Sequence, residues 1–237
     1  METFIKYNSL PLDEIYNKFL NEYNNDTELI NHRTYIESNK LGFGERPFHV
    51  IWRELVNVLP NDYKFLEIGV YKGQVLSLVK LLSDKQGKSV DYVGVTPLNN
   101  SGDKFSKYDS VNYEQVIGDL FKNFNLDFDI SKNIINGLST DETVKNKVRE
   151  KGFFDLIYID GGHDYDCVVS DIKLMYEISK NGSYIVFDDS SCYKNLSNDK
   201  FKGHIDVCNA IKDNLENNDQ FVELICVGHN RVFKRIK

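Results

Sequence analysis

Residues 155–166 read DLIYIDGGHDYD. Leu156, Ile157, Tyr158 and Ile159 make a short unbroken apolar run, the pattern of a central strand covered on both faces. The run stops at Asp160 and is followed by two glycines, His163 and more acid. Charge at the carboxyl end of a buried strand does nothing for packing. In an open α/β sheet that end is where ligands sit, so the stretch predicts both a fold and a place to look for chemistry. Asp164 and Asp166 fit the acidic first turn of the helix that follows.

Outward from this strand the chain alternates. KFLEIGV (64–70), DYVGVT (91–96), NIINGLS (133–139), FDLIYID (154–160) and SYIVFDD (183–189) read as strands. Helical spacing predicts helices over 74–84, 140–152 and from about Asp164 to Lys180, the last closed by Asn181-Gly182. After a helix near 204–215, FVELICVG (221–228) and RVFKRIK (231–237) are strands only two residues apart, a connection that demands an antiparallel hairpin. Ahead of them, residues 11–23 and 47–59 carry apolar residues at helical spacing. The fold class predicted is α/β: a Rossmann-like, mostly parallel seven-stranded sheet with a C-terminal antiparallel hairpin and an N-terminal helical cap. The division expected is a cap or substrate lid over 1–60 and a catalytic domain over 61–237.

Composition narrows the partners. With 29 Lys+Arg against 36 Asp+Glu, the net charge is −7 and no basic block appears, so phosphate-driven nucleic-acid binding is disfavoured. Neither a signal-like N-terminus nor an apolar run near membrane length is seen, which predicts a cytoplasmic protein with no membrane partner. Cys167, Cys192, Cys208 and Cys226 lie far apart without a CxxC pair, and are expected to be reduced, mostly buried thiols.

The strand ends collect the chemistry. Gly69 and Gly73 would let backbone approach a ligand, with Glu67 as an acceptor at the start of that turn. Asp160, Asp188 and Asp189 converge from neighbouring strands, a set of hard oxygen donors suited to Mg²⁺. His163, on a glycine-flanked loop beside them, is the candidate general base, because imidazole titrates near working pH.

With LEIGVYKG after the first strand, YIDGGHDYDCVVSDI after the fourth, NGSYIVFDD as the fifth and the terminal hairpin, the chain from about Asp62 to Lys237 resembles the class I S-adenosylmethionine-dependent methyltransferases. Asp160-x-x-His163 with Asp188-Asp189 resembles the divalent-metal-dependent O-methyltransferases that act on sugar hydroxyls. The resemblance implies that Glu67, Gly69, Tyr71 and Gly73 lie in the cofactor loop, that Asp160, Asp188 and Asp189 hold Mg²⁺, and that His163 takes the hydroxyl proton. It further implies that the N-terminal segment covers the acceptor, with Tyr35, Phe43, Arg46 and Trp52 as pocket residues. The sequence departs from the family at Thr96, where an acid usually binds the ribose, and at Leu138. Thr96, Asn99 and Ser139 would then supply weaker hydrogen bonds. The acceptor expected is a small molecule or glycan, and self-association is left open. A nicotinamide-dependent oxidoreductase predicts G-x-G-x-x-G, which is absent here. A degenerate methyltransferase fold acting as an interaction module is the other alternative, and it predicts no cofactor binding.

Overall fold

The computed structural model describes residues 4, 6, 7, 9–102, 104, 105 and 108–237. Three helices come first: α1 (Leu12–Asn24), α2 (Thr27–Asn39) and α3 (Phe48–Val58). Then β1 (Asp62–Ile68), α4 (Gln74–Lys85) and β2 (Ser89–Thr96) begin the alternation. It continues through α5 (Tyr113–Asn123), the short α6 (Ile130–Asn133), β3 (Ile134–Asn136), α7 (Glu142–Glu150) and β4 (Phe154–Ile159). The chain ends with α8 (Tyr165–Ile178), β5 (Ser179–Phe187), α9 (Ile205–Asn214), β6 (Phe221–Val227) and β7 (Asn230–Arg235).

The seven strands form one sheet in the order β3-β2-β1-β4-β5-β7-β6. The first five are parallel, while β7 pairs antiparallel with both β5 and β6. Alternate side chains feed two cores, as a sheet covered on both faces requires. Phe65, Leu156, Tyr158, Tyr184 and Val186 pack on one side with α4 and the N-terminal helices. Leu66, Ile68, Val93, Ile157, Ile159, Ile185 and Phe187 pack on the other with α7, α8 and α9. The cap is continuous with the first core: Phe19, Trp52, Leu55 and Val56 are buried in it, and the Trp52 ring meets Tyr158 edge-on at 4.8 Å.

Hydrogen bonding runs one residue past each strand and so fixes the sheet's active edge. Gly69 N–H donates to Val95 O (3.0 Å), Gly137 N–H to Thr96 O (3.0 Å), Asp160 N–H to Ile68 O (2.8 Å) and Asp188 N–H to Ile159 O (3.1 Å). Four strand ends are thereby held level.

Some expectations are corrected. The helix after β4 stops at Ile178, and Gly182 lies inside β5 (φ 97°), not at a helix end. A register shift there pairs Phe154 with Ser179, and Ser183 fills the irregularity by donating to Phe154 O at 2.6 Å. The helices α2 and α5 were not foreseen. Cys192 and Cys208 are not thiols: they form a disulfide with Cα atoms 5.9 Å apart, while Cys167 and Cys226 are free. Among the described residues no helix is long and apolar enough to cross a membrane.

Candidate active site

The loop after β1 is shaped by its backbone. Gly69 (φ 96°), Tyr71 (φ 48°) and Gly73 (φ 89°) all take left-handed conformations. A Cβ on Gly69 would sit 1.8 Å from Asp160 O, so only glycine lets the ends of β1 and β4 close together. Gly73 opens α4 and has the Ile117 side chain 3.3 Å from where a Cβ would lie.

Two main cavities open along this edge, and a third of about 10 Å³ lies at His163, Asp188 and Asp189. The larger, about 260 Å³, is lined by Gly69, Tyr71, Thr96, Asn99, Leu138, Ser139, Asp160 and Gly161, with Tyr108 and Tyr113 across from them. The smaller, about 60 Å³, shares Gly69, Tyr71 and Asp160 with it and is walled by Phe43, Phe48, Trp52, Glu67, Tyr158 and Asp188. Of the residues expected at the cofactor, Gly69, Tyr71, Thr96 and Ser139 line the larger space and Glu67 the smaller, while Gly73 lies in neither lining. Burial pushes the Glu67 carboxyl well above the usual range, and its Oε2 has no hydrogen-bond partner. An orphaned buried carboxylate oxygen beside a glycine cradle suits a ligand that carries a cationic group. Those features fit the charged methionine portion of S-adenosylmethionine. Behind Ser139, burial holds the Asp171 carboxyl up at about 7.

Phe43 and Trp52 thus reach the smaller cavity as expected. Arg46 instead pairs with Glu37 at 2.9 Å, and the Tyr35 ring packs on Phe124.

The charged cluster lies where β4, β5 and the β6–β7 hairpin end. Asp189 is itself left-handed (φ 50°) and nearly buried. Its backbone is clasped by the returning loop: His204 N–H donates to Asp189 O at 3.0 Å, and a Cβ on Gly203 would lie 2.0 Å from that oxygen. The two carboxylate oxygens then part company. Oδ2 meets His163 Nε2 at 3.1 Å and His204 Nε2 at 3.4 Å, whereas Oδ1 lies 3.7 Å from His229 Nε2. His229 Nε2 is also 3.4 Å from Asp188 Oδ1, to which Asn230 Nδ2 donates at 2.7 Å.

Asp160 takes a different position. Tyr158 OH donates to its Oδ2 at 3.1 Å, and burial, followed by the adjacent Asp188, pushes its carboxyl well above the ordinary range. Burial raises Asp188 too, partly offset by His229. Among the described residues, two groups gather donors close enough for one ion: His163, Asp189 and His204, and Asp188, Asp189 and His229. Buried carboxylates with imidazole nitrogens beside them fit a divalent cation.

His204 and His229 were not singled out from sequence, since neither sits at the end of a parallel strand. Above them Phe105 packs on His204 at 4.2 Å, and Lys104 bridges Asp164 (2.8 Å) and Asp206 (3.0 Å) across the mouth.

This strand order, with its reversed last strand and a cleft at the carboxyl edge, defines the class I methyltransferase fold. A family model described as a methyltransferase domain matches residues 66–190, more than half of the chain. The chain belongs to that family. Solved structures agree on the fold. An O-methyltransferase from Bacillus cereus in complex with S-adenosylhomocysteine superposes with a TM-score of 0.57 and 16% identity, over 90% of this chain and 91% of that one. CalS11, a TDP-rhamnose 3′-O-methyltransferase of calicheamicin biosynthesis, gives 0.53 and 15%, over 94% and 93%. By sequence, the uncharacterized protein R132 of Acanthamoeba polyphaga mimivirus is 29% identical over 170 residues, 68% of this chain and 66% of that protein. The match thus spans just under two thirds of that relative's length.

Proposed function

We propose that the protein is an S-adenosylmethionine-dependent O-methyltransferase that works with a divalent cation on a hydroxyl of a sugar, in a glycan, a nucleotide-sugar or a glycosylated natural product. The observation that carries this reading is the contact of His163 Nε2 with Asp189 Oδ2 at 3.1 Å, in a small pocket that shares Asp160, Gly161 and Gly162 with the larger cavity. S-adenosylmethionine supplies an electrophilic methyl group when bound, and a cation at the acid cluster supplies positive charge near the acceptor oxygen.

The chain's own residues do the rest. Glu67, Gly69 and Tyr71 shape the end that receives a charged tail, and Thr96 and Ser139 line the part that receives a ribose. Asp189 Oδ2 meets His163 Nε2, which orients the imidazole that takes the acceptor's proton. Trp52, Phe43 and Tyr158 exclude water from the smaller cavity and offer apolar faces to a ring. CalS11 acts on a sugar hydroxyl, which supports the choice of acceptor.

Those aromatic walls equally suit a flat phenol, which is the second reading. Transfer of isotopically labelled methyl from S-adenosylmethionine to a panel of glycosides and phenols tests both. The proposal expects labelled methyl ethers of glycosides and loss of label on chelation. Labelling of phenols alone would replace the acceptor class, and no labelling of any hydroxyl compound would overturn the reaction.

A further inference from the structure

An all-oxygen set of Asp160, Asp188 and Asp189 would make the cation site a magnesium site. The geometry points to a different one: we infer that His229, from the β6–β7 hairpin, is a metal ligand in the place the sequence assigns to Asp160. The ion it helps hold is then a borderline divalent cation such as Co²⁺ or Zn²⁺. The inference rests on reading this cleft as the reaction centre of a methyltransferase.

Three features carry it. His229 Nε2 lies 3.4 Å from Asp188 Oδ1 and 3.7 Å from Asp189 Oδ1, a spacing at which one ion touches all three donors. The imidazole is only 5% exposed, so Nε2, the nitrogen that meets the two carboxylates, is held away from bulk water. Finally, the turn is fixed in place before any ion arrives. His229 O accepts from Ser190 N–H at 2.9 Å and from Ser190 Oγ at 3.2 Å, and its ring packs edge-on against Phe48 (4.6 Å) and Phe201 (5.1 Å). Gly228 beside it cannot carry a side chain, because a Cβ would meet Phe48 at 2.8 Å.

The division of Asp189 makes this compatible with the proposed base. Its Oδ1 faces the ion and its Oδ2 holds His163, so one carboxylate links charge compensation to proton transfer. Imidazole nitrogen suits Co²⁺ and Zn²⁺, whereas Mg²⁺ prefers oxygen and water.

The test uses the full chain, freed of metal and loaded with Co²⁺ or Mn²⁺. Visible absorption of Co²⁺ reads affinity, and pulsed electron paramagnetic resonance of Mn²⁺ reads directly bound nitrogen. We expect Mg²⁺ to displace Co²⁺ only at roughly hundredfold excess or more, and His229→Gln to weaken Co²⁺ by about tenfold or more with loss of the nitrogen coupling. The coupling persists when His163 and His204 are both alanine. Equal affinity for Mg²⁺ and Co²⁺, absence of nitrogen coupling in the wild-type protein, or its loss in the His163/His204 double variant each overturns the inference. S-adenosylhomocysteine binding measured on the same samples separates this outcome from the methyltransferase reading: a protein that binds metal as expected but no S-adenosylhomocysteine fails that reading alone.

Discussion

Asp189 holds a left-handed backbone and splits its carboxylate, with His163 and His204 at one oxygen and His229 at the other, so it and its neighbours concentrate the sharpest residue-level predictions. His163→Ala should lower turnover by about 10²–10⁴-fold while leaving S-adenosylhomocysteine affinity unchanged, since a proton acceptor acts in the reaction and not in cofactor binding. Steady-state rates beside calorimetry check this. Gly69→Ala should destabilise the fold by about 2–4 kcal/mol, combining left-handed strain with a clash against Asp160 O, as denaturant unfolding reads out. At this scale Asp160, His163, Asp188 and Asp189 were legible because charge at the end of an apolar strand has no packing explanation. His204 and His229 were not. They arrive from a loop that doubles back and from a hairpin turn, and only the closed sheet brings them to Asp188 and Asp189.

Among elements, the strands and hairpin were readable from apolar runs and turn spacing, whereas α2 hid itself. Its buried face includes His32 and Arg33 beside Leu29 and Ile36, so polar residues break the apolar stripe that periodicity detects. The capping aspartate, Asp26, accepting from Glu28 and Leu29 N–H, was the available signal. That buried polarity has a consequence in pH. His32 Nε2 contacts Ser77 Oγ at 3.0 Å and its Nδ1 contacts His49 Nε2 at 3.4 Å, and burial lowers His32 to about 3 and His49 well below 6.5. Depressed imidazoles leave the unfolded chain holding more protons. Their contribution is therefore complete above about pH 6.5 and shrinks as pH falls toward 3. Unfolding midpoints followed from pH 7 to pH 4 should drop, and His32→Gln should flatten part of that slope. The disulfide acts on the loop between β5 and α9. Reducing Cys192–Cys208, or replacing Cys192 by serine, should cost about 3 kcal/mol through loop entropy, visible as a lower denaturant midpoint with reductant.

At the scale of the whole molecule, seven strands level four of their ends at one edge, and the cavities and the Asp–His cluster gather there. The sequence predicted that edge because alternation of strands and helices leaves few topologies. Of the cap residues at that edge, Phe43 and Trp52 were expected through the resemblance alone and Phe48 was not, since all three reach the site only through tertiary packing. Binding at this edge should stabilise the molecule by mass action, by about 2.7 kcal/mol for a ligand at one hundred times its dissociation constant. Thermal unfolding with and without a divalent cation measures that for the ion. The most direct measurement is calorimetric titration of the protein with S-adenosylhomocysteine, beside a Ser139→Trp variant that fills the larger cavity. The account predicts saturable one-to-one binding by the wild-type protein and none by the folded variant. No binding by the wild type, or equal binding by the variant, would contradict it.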